Sequence, residues 1–86
     1  MYYLVLVDSG NYAIRLSRIM AQKGYPVEVV STPCKIAKNG CGYCLRLIPE
    51  YKDTLINEGK TNAINIREIY SVTNASYKNI YKKIYP

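Results

Sequence analysis

The chain has 86 residues, with 12 lysines and arginines against 6 acidic residues, no histidine and no tryptophan, and tyrosine supplies all ten of its aromatic rings. That length makes one domain with a thin core, one that buries only roughly 60 to 65 % of the surface its unfolded form exposes. The lack of histidine excludes a cysteine nucleophile activated by a paired imidazole, and an odd count of three cysteines argues against a disulfide framework of the secreted kind.

The first run, Tyr2 to Val7, is continuously apolar, with aromatic and β-branched residues in it, the pattern of a central strand flanked on both sides. It stops at Asp8 and has neither a basic leader nor a small-residue cleavage site, so it reads as neither a signal peptide nor a membrane span, and the expected location is the cytoplasm. After Asp8-Ser9-Gly10, the residues Tyr12, Ala13, Leu16, Ile19 and Met20 recur at helical spacing with Arg15, Arg18 and Lys23 opposite, which predicts a helix over about residues 10 to 23. Ser9 or Asn11 can cap its start, and Gly24 before Tyr25-Pro26 ends it.

Residues 27–32 predict a second strand, closed by Pro33. Residues 43–48 predict a third, with Tyr43, Leu45 and Leu47 facing one way and Cys44, Arg46 and Ile48 the other. Pro49 with Glu50 and Asp53 reads as a helix opening, continued by Tyr51, Leu55 and Ile56 and ended by Gly59. Residues 64–72 predict a fourth strand on which neither face is clean, as at a sheet edge.

The resulting order is an α+β, ferredoxin-like βαββαβ sandwich, a four-stranded antiparallel sheet with two helices on one face. The apolar first strand then leaves a second face to cover. Residues 1–73 are taken as this domain and residues 74–86 as a basic, tyrosine-rich tail, whose Tyr77, Ile80, Tyr81, Ile84 and Tyr85 follow helical spacing between Lys78, Lys82 and Lys83. A C-terminal amphipathic helix docked on the sheet, or a homodimer, is expected to cover that face.

The connection between the second and third strands carries Cys34 and Cys41, and Cys44 follows in the strand. Cys41 lies between Gly40 and Gly42, which remove side-chain bulk and let a partner sulfur approach. Lys35, Lys38 and Arg46 place positive charge near it, which favours the thiolate. Cys34 and Cys44 are candidate resolving thiols for an adduct on Cys41, and Cys34 is expected to serve better, since Cys44 belongs to a strand and points into the sheet. Three thiolates without histidine fall short of a closed zinc site, so neither metal nor cofactor is expected.

The helix ending at Lys23-Gly24, the strand running into Thr32-Pro33, then Asn39-Gly40-Cys41-Gly42, Leu45-Arg46 and Ile69-Tyr70 together resemble the selenium/sulfur carrier protein-like family of small bacterial domains, over about residues 2 to 73. The resemblance implies a thiol that carries sulfur or selenium as a persulfide-like adduct, with Cys41 as the family cysteine, Gly42 beside it and Arg46 downstream. Family members commonly have arginine where this chain has Cys34 and lack a cysteine at Cys44. The implied partners are proteins that donate and accept the chalcogen, a cysteine desulfurase-like donor among them, and the implied role is that of a carrier or binding protein rather than a stand-alone enzyme. A ligand- or partner-binding regulatory module of the same fold and a basic single-strand nucleic-acid binder are the alternatives.

Overall fold

The computed structural model describes residues 1–37 and 42–86. Five strands form one antiparallel sheet: β1 (Tyr2–Val7), β2 (Glu28–Ser31), β3 (Tyr43–Leu47), β4 (Ile66–Ala75) and β5 (Lys78–Tyr85), in the spatial order β2-β3-β1-β4-β5. Helix α1 (Gly10–Gln22) follows β1, and α2 (Lys52–Thr61) follows β3 after a 3₁₀ turn at Pro49–Tyr51. None of the helices is long and apolar enough to cross a membrane, among the described residues.

The main core lies between the helices and one face of the sheet. Alternate residues of β1 and β3, Val5, Val7, Leu45 and Leu47, meet Ala13, Leu16 and Met20 of α1 and Leu55 of α2. Leu16, Leu45 and Leu55 are completely buried, which contributes roughly 1.5–3 kcal/mol for each such side chain. Helix α1 stops as its sequence predicts. Gly24 adopts a φ of +88°, and the amides of Gly24 and Tyr25 donate to the carbonyls of Ala21 and Met20, a closure only glycine enters without strain.

Helix α2 departs from expectation at its end. Gly59 does not terminate it but lies buried within it, because a Cβ there would come within 3.0 Å of the Ile64 carbonyl oxygen and of the Ile66 side chain. The closure comes later, where Ile64 donates to the Gly59 carbonyl at 2.8 Å and Ala63 to that of Lys60 at 3.3 Å, with Ala63 at a left-handed φ of 56°.

Three expectations about the sheet are corrected. It has five strands rather than four, and the tail forms no C-terminal helix. A tail this short is marginal as a lone helix, whereas pairing along β4 from Ala75↔Lys78 to Ile69↔Tyr85 satisfies the outer backbone groups of β4 and those of β5 that face it. Ile84 is the extra residue of a bulge opposite Ile69 and Tyr70, which lets both Ile84 and Tyr85 pack on the main core. β4 is therefore an inner strand, not an edge. Its mixed pattern comes from a second bulge: Val7 pairs with Ile66 and Leu6 with Glu68, so Arg67 is unpaired and the facing of the strand reverses across it.

The β4–β5 connection is only Ser76-Tyr77, both at left-handed φ (51° and 65°), as a type I′ hairpin turn requires. Neither residue suits that conformation, which costs of order 1–3 kcal/mol per non-glycine residue. The double substitution Ser76→Asn and Tyr77→Gly is expected to stabilise the protein by about 1 kcal/mol, a rise in Tm of roughly 4–8 °C for a domain of this size. An unchanged or lowered Tm in calorimetry would contradict the strained turn.

Candidate thiol site

The second sheet face holds a smaller apolar cluster, and the cysteine segment is built onto it. Leu4 and Leu6 of β1, Cys44 of β3 and Val72 of β4 are buried there with Ile36, and Tyr2, Val30, Tyr70 and Tyr81 pack around them. Ile36 comes from the connection between β2 and β3. The Pro33 carbonyl accepts from the amides of Ile36 and Ala37 at 3.1 and 3.0 Å, which coils Cys34-Lys35-Ile36 into a tight turn and drops the Ile36 side chain onto the sheet, 4 % exposed. Cover for this face thus comes from the chain itself, through Ile36 and through Tyr81 of β5.

The base of the connection is pinned one step beyond the β2–β3 ladder. Ser31 pairs with Tyr43, and the Thr32 amide then donates to the Gly42 carbonyl at 2.8 Å. Tyr43 also fixes the loop end against the start of α1, since a Cβ on Gly10 would lie 3.2 Å from the Tyr43 ring. Among the described residues, nothing lies within 4 Å of a Cβ built on Gly42.

The three cysteines differ sharply in what surrounds them. Cys34 is exposed on the turn beside exposed Lys35. Cys44 is completely buried opposite Val30. Burial pushes its thiol above the ordinary value of 9.0, and a hydrogen bond with the Thr32 side chain draws it part of the way back. Cys44 is therefore a neutral thiol at physiological pH. Cys41 and Lys38 lie outside the described residues. Arg46 sits three residues beyond Tyr43 on β3, about 10 Å of strand, with its guanidinium 4.2 Å from the centre of the Tyr2 ring.

The fold therefore gathers Cys34, Lys35 and Gly42 around the loop base with Cys44 sealed beneath, and it places Arg46 against Tyr2. Sequence reasoning missed two members, Thr32 and Ile36. The signal for Ile36 was present: it is the only large apolar side chain between Pro33 and Gly42.

A family model described as "Putative Se/S carrier protein-like" matches residues 2–71. The chain belongs to that family. The match in this Se/S carrier-like protein takes in the whole cysteine segment and β1 to most of β4, and it stops before β5. No curated protein and no solved structure matches the chain.

Proposed function

We propose that this Se/S carrier-like protein is a thiol-based carrier that holds sulfur or selenium as a persulfide-like adduct on Cys41. The observation that carries the reading is the family match across the cysteine segment, joined to the division of labour among the thiols: Cys44 is buried and neutral, which leaves the loop cysteines for chemistry. In the loading step the Cys41 thiolate attacks the outer sulfur of a donor persulfide; the new S–S bond forms on Cys41 as the donor's S–S bond breaks, and the donor leaves as a thiolate. No net oxidant is needed. Lys35, Lys38 and Arg46 supply the positive charge that favours the thiolate, and Gly42 leaves the approach open. Exposed Cys34 is the resolving thiol that clears an adduct no acceptor has collected: more slowly than loading, its thiolate attacks the inner sulfur, closes a Cys34–Cys41 disulfide and expels hydrosulfide.

The scaffold for this chemistry is, in this reading, the ferredoxin-like sandwich, supported by the β4-β1-β3-β2 order with both helices on one face, and extended by β5. The partners are a chalcogen donor of the cysteine desulfurase type and an acceptor protein, meeting in the cytoplasm. Intact mass spectrometry after incubation with a cysteine desulfurase and cysteine tests the reading. The wild-type chain and the Cys34→Ser variant are expected to gain one sulfur atom, and Cys41→Ser none; a Cys41→Ser variant that loads like wild type would overturn it.

A further inference from the structure

The β4–β5 hairpin runs past the end of the sheet. β1 begins with Tyr2 opposite Val72, and beyond that point Thr73↔Ile80, Asn74↔Asn79 and Ala75↔Lys78 pair only with each other. Every residue from 73 to 80 is exposed, so the segment is a two-stranded arm about 10 Å long, closed by Ser76-Tyr77. We propose that this arm binds a single-stranded nucleic acid, with the Tyr77 ring stacked on a base and Lys78 and Lys82 on the phosphates.

The register sorts the side chains of the hairpin by face. Lys78, Ile80 and Lys82 pair with Ala75, Thr73 and Ser71, and Ser71 lies beside Tyr3 of the main core, so all three stand on the helix-bearing side of the sheet. The helices do not cover them there: Ile80 is 51 % exposed, and both lysines are exposed. On the opposite face the Asn74 side-chain amide donates to the Asn79 side-chain oxygen at 3.3 Å and holds the two strands together, while Lys83 is engaged by Glu68. Lys78 and Lys82 have no acidic partner among the described residues, and after Glu68 the sequence contains no acidic residue. A phosphate backbone therefore meets two unneutralised cations on one face, about 13 Å apart along the strand. The net charge of +6 steers a polyanion toward them.

The turn decides the kind of polyanion. Ser76-Tyr77 holds two left-handed residues where Asn-Gly is favoured, and a local rule broken at an exposed tip points to a contact made there. Tyr77 is 102 % exposed, so both faces of its ring are open to a base. An acidic polypeptide would pair the lysines without using that ring. A double helix, whose bases are already stacked on one another, offers the ring no base face. An unpaired strand supplies both the phosphates and the free base, and the apolar Ile80 side chain between the lysines lies against the sugars. The arm lies outside the family match, which ends at residue 71, so this contact belongs to the C-terminal extension and not to the thiol site.

The test uses the full chain and needs no sulfur, so it stands or falls separately from the carrier chemistry. A fluorescein-labelled oligouridine of about twelve nucleotides is titrated with the protein, and its polarisation is read across a salt series. Saturable binding is expected, with a slope of log affinity on log salt of about −0.7 for each phosphate neutralised. The Lys78→Ser/Lys82→Ser variant should flatten that slope by about 1.4. Tyr77→Ala is expected to weaken binding at least about fivefold at an unchanged slope, and Tyr77→Phe to bind like wild type, because stacking uses the ring and not the hydroxyl. The Ser76→Asn/Tyr77→Gly variant is the control for folding: it should melt above wild type and still show the loss seen in Tyr77→Ala. Absence of saturable binding, wild-type binding by Tyr77→Ala, an unchanged salt slope in the double lysine variant, or tighter binding of a polyglutamate peptide or of a duplex of the same length would each overturn the proposal.

Discussion

In the native protein Cys44 is expected to react with iodoacetamide on the order of a thousandfold more slowly than Cys34. The side chain is completely shut away beneath Ile36 and between Val30 and the Leu4–Leu6 cluster, so alkylation must wait for the structure to open. An opening that costs about 4 kcal/mol, well within the range for core strands, already lowers the rate by that factor. Its raised pKa adds to the protection, because the thiolate is the nucleophile. The same shift has a consequence for stability. An acid whose pKa is higher folded than unfolded holds its proton more tightly in the native state, so its contribution is fully present below the unfolded value and declines as pH climbs past about 9 toward the folded one. Between pH 8 and pH 10 the wild-type Tm should therefore fall more steeply than that of Cys44→Ala. Parallel curves, or Cys44 labelling as fast as Cys34 by peptide mapping, would contradict the buried thiol.

Truncation of Ile36 to alanine is expected to cost roughly 2–5 kcal/mol, a large share of the total for a domain of this size. Ile36 is the only residue of the turn that enters the second-face cluster, where it seals Leu4, Leu6, Cys44 and Val72. Its loss opens a cavity against the sheet and frees the turn that carries Cys34. Two readouts should move together: Tm falls by more than about 10 °C, and Cys44 becomes alkylated faster. A variant with wild-type Tm would mean that the turn does not anchor the loop.

How much of this was readable in advance depended on whether the determining interaction was local. β1, α1 and β3 announce themselves because periodicity and caps lie within each segment; the alternation of Leu45 and Leu47 against Cys44 gives the two faces correctly. β4 was harder, since the bulge at Arg67 reverses its facing midway and makes an inner strand resemble an edge. The tail misled most. Its apolar residues fit helical spacing, yet the bulge at Ile84 produces that same spacing in a strand, and Ser76-Tyr77 lacks the Asn-Gly or Asp-Gly signature of a two-residue hairpin. In the site, Cys44 as a sheet residue followed from alternation, while Ile36 as the plug and Thr32 as the thiol's partner depend on how the connection folds back over the sheet, which no spacing rule contains.

The central claim is that Cys41 carries a transferable chalcogen atom, and peptide mapping of the sulfur itself tests it most directly. The full chain is loaded from a desulfurase with ³⁵S-cysteine, digested without reductant, and mapped before and after addition of an acceptor thiol. The account predicts label on the Cys41 peptide alone, passing to the acceptor thiol as its persulfide, with Cys41 left as a thiolate, once the acceptor is present. Label on the Cys34 or Cys44 peptide as the first site of loading, or no label on any cysteine, would contradict it.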